Sequence, residues 1–148
     1  MKGFKFKLQS VLEAKIKKFE DCQLEFAKVK NRLNVENQRL DYLYKTLEQT
    51  TAELELVMSS KSIDYTLIFC YQNYIIKLKQ DIRNQHKLIE TIEKELDEKN
   101  KKMLEALKEK TMMEKLREKA QEEFRKNIER LDMLNIDEIA TNRHKKAG

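Results

Sequence analysis

Leu12, Phe19, Phe26, Leu33, Leu40, Leu47 and Leu54 follow one another at an unbroken spacing of seven. A period of seven keeps one narrow stripe of a helix against a partner helix and winds the pair into a left-handed supercoil. The companion series three residues on reads Leu8, Lys15, Cys22, Val29, Glu36, Leu43, Thr50 and Val57, and five of these eight are apolar. The first series therefore takes position a and the second position d. The rival companion series (Ile16, Gln23, Lys30, Asn37, Tyr44, Thr51, Met58) has three apolar members in seven and makes the poorer seam. The first third of the chain reads as one strand of a coiled coil.

Composition agrees with an extended helical protein rather than a globule. The 148 residues include no Pro, and the two Gly are Gly3 and Gly148. A packed globule needs turns, and turns need residues that tolerate unusual backbone angles. Charged residues make up 39%, mostly interleaved Lys and Glu, as on the wet face of long helices. Hydrophobic residues at 40% suffice for a seam but not for a thick core.

The first periodicity stops after Met58, at Ser59-Ser60-Lys61-Ser62, where Ser62 is a candidate N-cap. A second seam follows at sevens: Ile68, Ile75, Ile82, Ile89, Leu96 and Met103, with Tyr71, Leu78, Gln85, Ile92, Lys99 and Ala106 as companions. The strict repeat slips at Lys110 and Arg117, and a looser stripe continues through Leu107, Leu116, Phe124, Ile128, Leu131 and Leu134. A short connection makes consecutive helices antiparallel neighbours. The expected fold is all-α: a single long antiparallel two-helix coiled-coil hairpin, with helix 1 over about 5–58, a turn over about 59–62, helix 2 over about 63–140 and a basic tail over 141–148. Folding at the serines pairs residue i with roughly residue 121 − i and leaves more than about 20 C-terminal residues as an unpaired helical overhang. Cys22 and Cys70 would then lie about 43 Å apart, too far for a disulfide. A dimer of fully extended helices is the competing architecture.

The chemistry-bearing residues are sparse. The net charge of +5 is mild, and both termini are basic. A zipper that reads DNA needs dense Arg/Lys ahead of its first heptad, and here Phe4, Phe6 and Leu8 interrupt it, so no nucleic-acid partner is expected. Without interior Gly there is no phosphate loop, and the two His and two Cys have no metal-ligand spacing. Asp137-Glu138 reads as solvated charge rather than an acid/base pair, because a general acid needs a pocket to shift its pKa. No catalytic, cofactor-binding or metal site is expected. The basic start is not followed by an apolar run, so no leader is expected, and Ile63–Leu78 is too short and too polar to insert in a membrane. One feature stands off the seam: Tyr42, Tyr44, Phe69, Tyr74 and Ile76 lie outside positions a and d near the fold point. Aromatic residues with a polar tip are enriched in interfaces. A partner patch and a widened seam are both open readings.

The opening Phe4-Lys5-Phe6-Lys7-Leu8-Gln9-Ser10-Val11-Leu12, followed by a heptad helix, resembles the start of the flagellar FliJ family. The near-terminal Asp137-Glu138-Ile139-Ala140 and the basic residues after it resemble that family's C-terminal signature. Chain length, the central break and Tyr71-Gln72-Asn73-Tyr74-Ile75 match as well, so the resemblance covers essentially the whole chain. Lys15 stands where the family has Arg, and Leu134-Asn135-Ile136 is more apolar than the family's usual approach to the Asp-Glu pair. The resemblance implies a cytosolic, non-enzymatic part of the flagellar type III export apparatus, associated peripherally with the inner face of the membrane at the flagellar base. It implies a stalk-like coiled coil in the centre of a hexameric export ATPase, which promotes that ring's assembly and activity, contacts the export gate's membrane protein and escorts export chaperones. On that basis Phe4, Phe6, Lys7, Leu8, Val11, Asp137, Glu138, Ile139 and Arg143 are expected at the ATPase tip, and Tyr42, Tyr44, Phe69, Tyr74 and Ile76 at the gate. The alternative is a coiled-coil tether or prefoldin-like chaperone hairpin with no ATPase partner, which would carry a β-strand platform.

Overall fold

The computed structural model describes residues 3–147 and contains two helices, α1 (Gln9–Met58) and α2 (Tyr65–Ala147), packed antiparallel as an all-α hairpin. No strand occurs among the described residues, so the platform that a prefoldin-like hairpin needs is not found there. All twelve leading seam residues, from Leu12 to Leu54 and from Ile68 to Leu96, are buried or half-buried.

Three boundaries differ from the expectation, each for a local reason. Helix α1 starts at Gln9 rather than near residue 5. Phe4-Lys5-Phe6-Lys7-Leu8 alternates apolar and basic, and that period of two suits an extended segment with one apolar side. Phe4 and Phe6 are half-buried while Lys5 and Lys7 are exposed. At the turn, Asp64 rather than Ser62 caps α2: its Oδ1 accepts the Leu67 N–H at 3.2 Å. A carboxylate at an N-cap satisfies an orphan donor and also complements the helix dipole. The connection therefore runs over 59–64, and residue i faces roughly residue 124 − i, as the pairs Lys15–Glu109 and Glu25–Lys99 show. At the far end, residues 141–147 continue the helix and form no separate tail. No Gly or Pro stands there to stop it, and His144, Lys145 and Lys146 in the last turn complement the dipole.

The chain divides into two units to which both helices contribute. The turn unit is Cys22–Met103, and the terminal unit gathers residues up to Asp21 with those from Leu104 onward. The turn unit is an apolar seam: Val29, Leu78, Ile82, Ile89 and Ile92 are buried, Ile92 to 1% exposure. Thr50 is buried in it as well, and one cross-helix hydrogen-bonded layer interrupts it, where the buried Gln85 amide donates to the Glu36 carbonyl at 2.9 Å and to the Glu36 carboxylate at 2.6 Å. In the terminal unit the buried apolar residues are Leu12 and Ala106. Half-buried apolar residues such as Phe19, Met113 and Phe124 share the seam there with cations. Lys15 and Lys18 reach Glu109 at 3.1 and 3.5 Å, and Lys110 lies 4.9 Å over the Phe19 ring. Arg117 donates to the Gln9 side chain at 3.3 Å while standing 5.9 Å from the Phe4 ring centroid. The slip in the heptads at Lys110 and Arg117 thus marks two cations seated on aromatic faces. Cys22 is half-buried and Cys70 exposed, both as free thiols.

Candidate functional site

Two surfaces gather the residues singled out from sequence, one in each unit. In the terminal unit, Gly3–Phe6 forms a strap along α2. Phe4 packs on Phe124 with ring centroids 5.6 Å apart. Phe6 and Leu8 line a groove of about 620 Å³ with Leu116, Ala120 and Glu123. A second groove, of about 530 Å³, runs past Phe4 along Phe124, Arg125 and Ile128. Arg125 is held there by Glu122 and Glu129, and its guanidinium keeps the Glu122 carboxyl below the usual glutamate range.

Beyond Ile128 every residue from Glu129 to Lys146 is exposed. That stretch carries Leu131, Met133, Leu134, Ile136 and Ile139, each more than half exposed. At 3.6 residues per turn these five side chains point in five directions around the helix, with no gap wider than about 100° between neighbours. A helix that docks in a one-sided groove needs a stripe, and this segment has none: its five large apolar side chains are spread around it and interleaved with Arg130, Asp132, Asp137 and Glu138.

The sequence-derived tip is therefore two features rather than one. Phe4 and Phe6 pack against α2 as the strap, with Lys7, Leu8 and Val11 exposed beside it. Asp137, Glu138, Ile139 and Arg143 lie on the overhang, the first of them 13 residues and so about 20 Å beyond Phe124. Head and tail do not finish side by side, because the strap meets α2 well before its end.

In the turn unit Tyr42, Tyr44, Phe69, Tyr74 and Ile76 are all exposed, Tyr42 most of all. They do not form one cluster. The Tyr44 hydroxyl lies 2.8 Å from Nε2 of His86, with the rings edge-on, and Tyr42 flanks a small groove with Arg39, Gln85 and Leu88. Phe69 stands opposite about residue 55, some 20 Å along the axis from Tyr42. Tyr74 lines a shallow hollow with Leu67, Cys70 and Tyr71, and Phe69 and Ile76, seven apart, share the outward face of α2. Nearby, the Tyr71 hydroxyl donates to Glu53 at 3.3 Å; burial first, and then the Glu53 charge, push that phenol up. His86 was not singled out from the sequence, and Phe4 and Phe6 were singled out without their packing as a strap on α2. His86 carries no local signal, whereas the strap was signalled by its period of two.

Among the described residues no group of three or more His, Cys, Asp or Glu is placed to hold a metal ion. Nor is any described helix long and apolar enough to cross a membrane. A family model described as "Flagellar FliJ protein" matches residues 4–148. Comparison with curated proteins and with solved structures gives no match.

Proposed function

Since the chain belongs to the flagellar FliJ family and so to the components of the flagellar export apparatus, we propose that it is a non-enzymatic stalk, with the overhang of α2 entering a hexameric export ATPase and promoting its assembly and activity. The observation that carries this reading is the exposed segment Glu129–Lys146, with apolar side chains on every side. A ring is the partner that contacts a helix from all directions at once. Arg130, Arg143, Lys145 and Lys146 on the same segment would meet carboxylates of the ring, guiding encounter and orientation more than adding affinity. The strap keeps the base of that helix tied to α1, so the overhang projects as a supported element.

The exposed aromatic residues of the turn unit are the candidate contact to the cytoplasmic domain of the export gate's membrane protein. Tyr42 and Tyr44 form one part and Phe69, Tyr74 and Ile76 another. On this reading the chain works in the cytoplasm and reaches the membrane only through that protein. Escort of export chaperones belongs to the same reading.

The test is nucleotide hydrolysis by the purified ATPase with and without this chain. Full-length protein is expected to raise the rate, and a chain ending at Ile128 is expected not to. Equal stimulation by both would remove the overhang from the account. Tyr42→Ala with Phe69→Ala is expected to weaken gate binding and leave stimulation intact.

A further inference from the structure

Along its a positions the turn unit's seam carries little register information. Its a positions are Phe26, Leu33, Leu40, Leu47 and Leu54 on α1 and Ile68, Ile75, Ile82, Ile89 and Leu96 on α2, so at those positions a slide of seven residues exchanges one large apolar side chain for another. Nor does the connection prevent such a slide. Six residues, 59–64, can span about 20 Å when extended, and a heptad slide moves the helices by about 10 Å. The cross-helix pairs Arg32–Glu95, Glu25–Lys99 and Glu53–Tyr71 sit at exposed edges, where such contacts contribute little.

We propose that the Glu36–Gln85 layer is the register lock of this unit. Both residues occupy d positions, and Gln85 is buried with its amide nitrogen shared between the Glu36 carbonyl and carboxylate. A slide of seven in either direction sets Gln85 against Val29 or Leu43, and Glu36 against Leu78 or Ile92. All four are apolar and none is exposed. The buried amide would lose its acceptor and the carboxylate its donor, which is costly in a seam that excludes water. The polar layer is therefore worth little in the correct register and penalises every neighbouring one, as a single buried polar position does in other coiled coils. Locked in this way, the hairpin holds one alignment under an axial load, where a uniform Leu/Ile seam would slip.

The test measures the distance between spin labels at the exposed positions Asn34 and Asn73, staggered by about 25 Å along the axis so that a slide changes their separation almost in full, in the full chain with Cys22→Ala and Cys70→Ser. The parent is expected to give a single distance. Glu36→Leu with Gln85→Leu is expected to melt higher, because two desolvated polar groups are replaced by apolar ones. It is also expected to show a second distance population displaced by the length of a heptad, about 10 Å. Glu36→Gln keeps an amide partner and should retain the single distance. The pair Glu36→Ile with Gln85→Leu repeats the readout with different side-chain shapes, which guards against a packing fault in one variant. A single, unshifted distance in both apolar pairs would overturn the proposal, whatever their melting temperatures.

Discussion

In the turn unit Val29, Leu78, Ile82, Ile89 and Ile92 are buried, with Thr50 and Gln85 the buried polar residues, whereas in the terminal unit Leu12 and Ala106 are buried and cations lie against half-buried apolar residues. The two units are pieces of the same pair of helices, so the difference lies in what the side chains do. Apolar layers give stability that falls off only when the helices separate. Ion pairs at half-exposed edges and cations over rings give less, and they can be exchanged for contacts to another molecule at small cost. The chain's apolar burial is thus concentrated near the turn, and its terminal end is held by contacts that are easier to exchange.

Several measurements can break or sharpen that contrast. The largest effect is expected from Ile92→Ala, which empties the most buried site of the turn unit and should cost about 2–5 kcal/mol in chemical denaturation. Leu131→Ala on the overhang removes a side chain that touches little, and should stay within about 0.5 kcal/mol. Equal losses at the two sites would erase the distinction. Next comes the cap. Asp64→Ala leaves the Leu67 amide without its acceptor and should cost about 1 kcal/mol, with faster hydrogen exchange in the first turn of α2. Phe4→Ala should cost a similar amount or less, about 0.5–1.5 kcal/mol, and the gain in exchange should be confined to the terminal unit, since Phe4 touches Phe124 and Arg117 there.

The smallest effect is electrostatic. The Lys15 ammonium hydrogen-bonds the Glu109 carboxyl and, with Lys18 nearby, holds it below the usual glutamate range. A depressed carboxyl stabilises the folded form above its ordinary value and loses that contribution as pH falls through the lowered one. The terminal unit should therefore loosen as pH drops below about 4, and Glu109→Gln should flatten that dependence. Because the pair is partly exposed, added salt should mimic the acid effect.

How far the sequence alone led can be judged from particular residues. The heptads placed both helices and their antiparallel pairing, because a period of seven dictates which face is covered. Asp64 was missed in favour of Ser62, since both residue types cap helices and only the path of the chain decides between them. Lys110 and Arg117 looked like faults in the repeat, and they are seats on Phe19 and Phe4 that no periodicity reveals. Glu36 and Gln85 stood in the pattern as two unrelated polar exceptions. Folding the chain at its serines sets the two opposite one another, so their pairing was within reach. The overhang was legible as a helix without a partner, and since the expected helix already ran to about residue 140, the spread of Leu131, Met133, Leu134, Ile136 and Ile139 around its circumference was within reach as well. Phe4, Phe6 and Leu8 alternate with lysines, and that period of two is the local signal that a helix beginning near residue 5 passes over.

The central claim is that the overhang is enclosed by its partner, and an aspartate scan tests it most directly. Leu131→Asp, Met133→Asp, Leu134→Asp, Ile136→Asp and Ile139→Asp are made one at a time, and affinity for the hexameric export ATPase is measured for each. The five positions face five directions, so the account predicts a comparable loss, about tenfold or more, at all of them. Loss at only two adjacent positions around the helix, with the others binding as the parent does, would mean a one-sided groove and contradict it.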